Sequence, residues 1–278
     1  MKTLFNQYNR EGYTTTAQPV MDKSGLNKVM SRFDPVGLDE MDAQKLQNRI
    51  DTKFLFDAAL LPEILTDVCS DYSALYINGT NIQPYLSLYF DTLSYENYFA
   101  HHNGKRPRFK IRMRKYLNGG EAFLEIKEKD NKNRTIKKRM EITDITAKLS
   151  PEHYQYISEI YSLGLVPLKP VIWNRYNRLT LVNKNSLERV TIDLNYNAFN
   201  QNGFISWNEF VIAEIKQGER SPNTKFYQAM KSRYIKPVNF SKYCISMALL
   251  TPQLKSNKFK MNIETIKTYL QRSFKYAF

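Results

Sequence analysis

The chain is poor in the residues that most often announce a mechanism. Its two cysteines, Cys69 and Cys244, are too few and too far apart for a disulfide framework or a zinc-ligand pattern. Both are expected as small buried hydrophobes. Its three histidines, His101, His102 and His153, fall in polar, helical stretches. They are expected at the surface, which argues against a phosphohistidine in a cleft, and no Ser-His-Asp arrangement is suggested. No GxxxxGK[ST] loop occurs and no GxGxxG follows a strand, so the glycine-rich phosphate cradles are excluded. No apolar run approaches the roughly 18 residues of a spanning helix. The opening MKTLFNQYNREGYTTT lacks the apolar core of a signal peptide, and the expectation is a soluble, cytoplasmic protein. Acid is the scarcer charge. Against 41 basic residues stand 27 acidic ones, a formal net charge of +14. That excess favours phosphate-rich partners: nucleic acid, nucleotides, polyphosphate or an anionic membrane surface.

What is present is alternation. In RPRFKIRMRKY, Arg108, Lys110, Arg112 and Arg114 occupy every second position, with Phe109, Ile111 and Met113 between them. On a strand this sends the four cations to one face and the three apolar groups to the other. Other runs repeat the pattern. QNRIDTKFLF places Arg49, Asp51 and Lys53 together, and AFLEIKEK places Glu125, Lys127 and Lys129 together. TIKKRMEI aligns Lys137, Arg139 and Glu141, and RYNRLTLV aligns Tyr176 and Arg178. RVTIDLNY aligns Arg189, Thr191 and Asp193, and EFVIAEIKQ aligns Ile212, Glu214 and Lys216. YLSLYFDT puts Tyr85, Ser87, Tyr89 and Asp91 on one side.

These runs predict about eight meandering strands with helices between and after them, an α+β fold. Asn118-Gly119-Gly120 reads as a hairpin turn. Helices are expected over ALLPEILTDVCSDY, over SYENYFAHHNG with Ser94 as its N-cap, from Pro151 onward, and at about 222–234 and 241–250. Residues 1–28 read as a flexible N-terminal segment, 29–252 as one domain, and 253–278 as a basic helical tail. The tail's lysines are expected to be solvated, with peripheral contact to an anionic membrane as the alternative.

One strand with a charged face is usually a wet outer face. Six or more in agreement point to a closed antiparallel barrel, with helices outside and water and an anion inside. Arginine forks bind phosphate oxygens bidentately. The carboxylates on the same faces, Asp51, Glu125, Glu141, Asp193 and Glu214, either pair with neighbouring cations or hold a hard divalent cation bridged to substrate phosphates. A non-catalytic polyanion or RNA binder is the rival reading, because basic faces interleaved with aromatics bind single strands. The shared carboxylates weigh against it, and no specific nucleic-acid partner is expected.

Taken in order, RIDTKF, YLSLYFDT, GKRPRFKIRMRKY, FLEIKEK, TIKKR, YNR, RVTIDLN, AEIK and FSKY resemble the catalytic domain of the vacuolar transporter chaperone (VTC) complex over residues 33–250. That domain is a polyphosphate polymerase of the triphosphate tunnel metalloenzyme, or CYTH-like, superfamily. The resemblance implies an eight-stranded tunnel with a basic lumen. It also implies transfer of the γ-phosphate of ATP to a growing polyphosphate chain with Mn²⁺ or Mg²⁺. Carried over motif by motif, Arg112, Arg114, Lys127, Arg178 and Arg189 form the catalytic set. Lys53, Tyr176, Ser241 and Lys242 bind phosphate, and the charged strand faces add Arg49, Arg108, Lys110, Lys137, Arg139 and Lys216 as phosphate-binding candidates. Glu214 holds the metal, with Glu125 and Asp193 as further candidate ligands. Two departures stand out. Asn239 replaces a lysine common in the family and removes a cation near the phosphates, which bears on turnover or chain length. RIDTK replaces the ExExK of CYTH triphosphatases, which favours a polymerase over a metal-dependent tripolyphosphatase or nucleoside triphosphatase. No extra regulatory or membrane-spanning module is visible, and a stand-alone form is expected.

Overall fold

A computed structural model of the chain describes residues 23–43, 49–132, 135–161 and 166–275. Among them are twelve strands: β1 (Asp34–Val36), β2 (Ile50–Asp57), β3 (Tyr72–Leu75), β4 (Gln83–Thr92), β5 (Arg108–Tyr116), β6 (Ala122–Lys129), β7 (Thr135–Ile142), β8 (Leu168–Asn183), β9 (Glu188–Asn200), β10 (Gly203–Trp207), β11 (Phe210–Gln217) and β12 (Pro237–Val238). The α-helices are α1 (Lys23–Met30), α2 (Leu38–Ala43), α3 (Leu61–Val68), α4 (Glu96–His102), α5 (Pro151–Ser158), α6 (Lys225–Ser232), α7 (Lys242–Leu250) and α8 (Lys260–Lys275).

All the strands belong to one sheet, whose main path runs β12-β2-β11-β9-β8-β4-β5-β6-β7. Every pair along it is antiparallel, and the short β1 joins β3 in parallel. The α+β class is as expected, but the closed barrel is not. No backbone ladder joins β7 to β2 or β12 among the described residues, so the sheet is curled and open. The reason lies at its edges. β12 is two residues long and begins with a proline, which has no N–H to donate. β7 carries Lys137, Lys138 and Arg139, the charged blunting typical of an exposed edge strand. Side chains reach across instead: Lys127 Nζ on β6 lies 3.8 Å from the Asp51 carboxylate on β2.

The apolar faces of the strands turn outward and meet the helices. α1, α3 and α6 bury Leu26, Met30, Ile64, Leu65, Phe226 and Met230 against Phe54, Phe56, Leu181, Ile192, Val211 and Ala213 of β2, β8, β9 and β11. α5, with Tyr161 after it, covers Ile111, Met113, Leu124 and Ile126 of β5 and β6. α7 and α8 pack with Tyr196, Trp207 and Phe210. The segment expected to be flexible lies outside the described residues as far as residue 22. From Lys23 the chain is helical, with Leu26 and Met30 in the core. In the tail, Leu254, Phe259 and Ile266 are buried, and the Tyr269 hydroxyl donates to the Leu55 carbonyl at 3.2 Å.

α4 is capped differently from the expectation. Ser94 is not its cap. Thr92 Oγ1 accepts the Glu96 N–H, and the Asp91 carboxylate accepts the N–H groups of Asn97 and Tyr98, all at 2.9 Å. Tyr95 takes a left-handed φ of 60° between them. Nor are the histidines all superficial. His102 is buried, with its ring nitrogens bonded to Asn103 and Asn257, because α4 is covered by the turn at Asn257–Phe259. His153 closes a capping box with Ser150 at the start of α5.

Asp91 also accepts the Tyr243 hydroxyl at 2.5 Å, so one fully buried carboxylate fastens β4, α4 and α7 together. Burial pushes its carboxyl up, against the pull of these donors. Asp91→Ala would strand several buried donors. The expected loss is about 3 kcal/mol of stability, read as a lowered urea midpoint, and an unchanged midpoint would contradict the clamp.

Candidate functional site

Backbone register brings the polar faces of the strands together. Arg112 lies opposite Tyr89 and Glu125, and Arg114 opposite Ser87. Glu214 lies opposite Lys53 and Thr191, and Arg178 opposite Asp193. Because the sheet curls with these faces inward, they enclose a cavity of about 1340 Å³. Of the residues assigned to the site from the sequence, all but Arg108 and Asp193 line it; Glu141, which shares a face with Lys137 and Arg139, does not. Arg108, at the first position of β5, sits at the far end near Arg106, and burial with that like charge lowers its pKa. Asp193 lies behind the wall, 3% exposed.

Inside, each carboxylate holds two or three cations. Glu125 bonds Arg112 (Nε 2.7 Å, Nη2 2.6 Å) and Lys137 (2.5 Å), with Arg114 at 3.8 Å. Asp193 takes a bidentate pair from Arg178 (2.6 and 2.9 Å) and Lys242 Nζ at 2.5 Å. Glu214 bonds Lys53 and Lys216 at 2.8 and 2.7 Å. Asp51 pairs with Arg49 at 3.1 Å and with Lys127. Tyrosines complete the shell: Tyr89 Oη accepts from Arg112 at 2.8 Å and Tyr176 Oη from Arg114 at 2.7 Å. The Arg114 and Arg178 guanidinium groups both lie over the Tyr85 ring, at 5.2 and 5.0 Å. Lys110 Nζ donates to Ser241 Oγ at 2.9 Å, which helps seat the first turn of α7 at one end of the cavity.

Burial alone would raise the Glu125 carboxyl; Arg112, Arg114 and Lys137 overcome it and hold the group well below the usual carboxylate range. The same balance, with Arg178 and Lys242, lowers Asp193, and with Lys216 and Lys53 it lowers Glu214. Lys110 pairs with no carboxylate among the described residues, and burial pushes its ammonium down to about 8. The outcome is a cavity of fixed, largely desolvated cations with more positive than negative charge, arranged to receive a polyanion.

Tyr85, Tyr89, Tyr243 and Asp51 also line the cavity and were not among the assigned site residues. Tyr85, Tyr89 and Asp51 stand on the same period-two faces as the cations, which was signal enough to include them. Tyr243 gives no such signal, because its place depends on a helix docking onto β4.

Among the described residues no three His, Cys, Asp or Glu side chains converge as a metal cage. Glu125 and Asp193 are 2% and 3% exposed and enclosed by cations, whereas the Glu214 side chain is 18% exposed on the cavity wall. Glu214 is the most accessible of the three, but each of its oxygens is paired, with Lys53 and with Lys216, so it could offer an oxygen to a hard cation once a lysine turns to a phosphate instead.

A family model described as the VTC domain matches residues 48–251. The chain belongs to the VTC domain family. No curated protein matches it. Solved structures similar to this VTC domain include a Hippeastrum protein described as an adenylyl cyclase with a dominant triphosphatase activity. It is 13% identical, covering 72% of this chain and 95% of that one, with a TM-score of 0.48. An adenylate cyclase-like protein of Bacillus halodurans is 11% identical, with 72% and 97% covered and a TM-score of 0.45. A Pyrococcus horikoshii protein is 13% identical, with 74% and 99% covered and a TM-score of 0.41. No helix among the described residues of the VTC domain is long and apolar enough to cross a membrane.

The Lys110 amine gives a pH test. Lowered to about 8, it is charged at pH 7 and mostly neutral at pH 9, whereas a bound polyanion favours the charged form. Tripolyphosphate affinity is expected to fall across that window, by up to about tenfold per pH unit for each lysine that must regain a proton. Calorimetry in buffers of different ionisation enthalpy would show proton uptake on binding above pH 8. Affinity independent of pH from 7 to 9 would contradict the assignment.

Proposed function

We propose that this VTC domain transfers the terminal phosphate of ATP to the end of an inorganic polyphosphate chain lying in the cavity, and releases ADP. Family membership supports the reading, and one observation carries it toward transfer between phosphates. Glu125 and Glu214 in the cavity, and Asp193 behind its wall, each pair with two or more cations, which hold them well below the usual carboxylate range. Carboxylates so depressed are poor general bases. A water nucleophile needs its proton removed, whereas the end of a phosphate chain arrives already ionised and needs no base. The chemistry then rests on positioning and charge stabilisation.

In this reading Arg112 and Arg114 grip the triphosphate, Lys127 lies beside them on β6, and Arg178 and Arg189 complete the cradle from β8 and β9. Tyr89 and Tyr176 hold the two guanidinium groups in their orientation. Lys53, Lys216 and Lys110 neutralise the incoming chain, and Ser241 and Lys242 present the first turn of α7 to it. Glu214 would hold Mg²⁺ or Mn²⁺, which when bound supplies further neutralisation of the phosphates. Lys53 and Lys216 keep the Glu214 carboxylate ionised at any working pH.

Purified protein, ATP and Mn²⁺ with a polyphosphate-sensitive dye would test this directly. Polymer is expected, and chelation with EDTA is expected to abolish it. Arg112→Ala should lower the rate by about 100-fold or more, by analogy with the deletion of a transition-state donor. Free phosphate without polymer would replace the polymerase with a triphosphatase. ATP and tripolyphosphate both left intact but bound would leave only a polyanion binder.

A further inference from the structure

The two ends of the cavity differ in chemistry. At one end the first turn of α7 closes in, tied to three separate strands: Ser241 receives a bond from Lys110 of β5, Lys242 pairs with Asp193 of β9, and Tyr243 bonds Asp91 of β4. The opposite end is where β2, β4, β6 and β9 begin and β5, β8 and β11 finish, since neighbours along the path are antiparallel. There the inward faces of the β5–β6 hairpin change character. β5 reads Lys110, Arg112, Arg114 and then Tyr116; β6, read toward the same end, gives Lys127, Glu125 and then Phe123.

Tyr116 and Phe123 both line the cavity and both are partly exposed. Their rings meet edge to face at 5.8 Å, and Tyr116 also contacts Tyr85 at 4.9 Å. The Arg139 guanidinium lies over the Phe123 ring at 4.6 Å. On the β2 side and at α2 the same mouth is edged by Ile50 and Leu38, which are 45% and 43% exposed. A bare phosphate chain has no use for aromatic and aliphatic surface. A nucleoside does.

We propose that Tyr116 and Phe123 form a stacking site for the nucleobase of the nucleoside triphosphate whose phosphates lie among the cations. This rests on the function proposed above and adds the direction in which the donor enters: base at the hairpin mouth, γ-phosphate toward α7. The Tyr116–Phe123 contact and the overlying Arg139 hold the rings in place, and a guanidinium stacks on a base as readily as on a ring. The contact is with a π face, which every base has, so little discrimination among ATP, GTP and CTP follows from it.

The test compares a ligand that has a base with one that lacks it. Binding of a non-hydrolysable ATP analogue and of tripolyphosphate is measured by calorimetry on wild type, Tyr116→Leu, Phe123→Leu and Phe123→Tyr. Leucine keeps apolar volume without a ring, so the fold is retained. Each leucine variant is expected to bind the analogue about tenfold more weakly while tripolyphosphate binding stays within about twofold. Phe123→Tyr is expected to behave as wild type. Unchanged analogue binding in both leucine variants, or an equal fall for both ligands, overturns the base site while leaving the phosphate reading intact. A wild-type protein that binds neither ligand overturns both.

Discussion

The structure depends on how a sheet can bury a surplus of cations. Arg112, Arg114, Lys137, Arg178, Lys242, Lys53, Lys216, Arg49 and Lys127 are shared among only four carboxylates. Apart from Arg49–Asp51 and Lys216–Glu214, each within one stretch of chain, the pairs join different elements and act as struts. Buried pairs of this kind add little net stability, because desolvation cancels much of their attraction. Their effect is geometric: they point guanidinium and ammonium groups into one volume and hold them there before any ligand arrives. The unbalanced charge that remains is relieved only by an anion, so the same arrangement that strains the empty protein favours a phosphate-rich ligand.

Orientation of these cations is relayed from outside the cavity. Arg112 is set by Glu125 and by the Tyr89 hydroxyl. The Tyr89 ring stacks on Tyr243 at 5.0 Å, and Tyr243 is fixed by Asp91, itself held by the backbone N–H groups of Thr92 at the end of β4 and of Asn97 and Tyr98 in the first turn of α4. A buried carboxylate that touches no cation thus bears on a guanidinium two side chains away. The same Tyr243 lies in the first turn of α7, next to Ser241 and Lys242, so the helix and the arginine share one anchor.

How much of this was legible in the sequence follows from the range of each interaction. Period-two alternation is a local property, and it assigned Arg112, Lys127, Arg178 and Glu214 to inward faces without any knowledge of partners. Strand pairing along the hairpins followed for the same reason. The open seam did not, because whether β7 meets β2 depends on edges more than 80 residues apart in sequence, one of them the proline-led β12. The cap of α4 was misassigned to Ser94 because Asp91 reads locally as one more strand residue; its capping role exists only once the chain turns back over it. His102 was placed at the surface because nothing near it in sequence reveals that Asn257 will cover it. Asp193 has the alternation of a lining residue, yet the bidentate fork of Arg178 and the Lys242 ammonium draw it behind the wall.

The polarity of the cavity has its origin in connectivity. β5 and β6 are joined by a tight turn at Asn118-Gly119-Gly120, where Gly120 takes a positive φ of 84° that a side chain would strain. A turn that short leaves nothing to fold over the mouth beside it. At the other end the chain leaves β12 and enters α7 after only Asn239, Phe240 and Ser241, so a helix start is delivered to the sheet's inner edge with its N-cap serine already facing Lys110. Alternation then does the rest: the residues that continue the basic stripe toward the turn are Tyr116 and Phe123, and those that meet it at the helix are hydroxyl and ammonium groups. Cations line both ends of the lumen, Lys110 and Lys242 beside α7 and Arg49, Arg139 and Arg189 toward the hairpin, so what sets the hairpin mouth apart is the Tyr116–Phe123 pair and not an absence of charge.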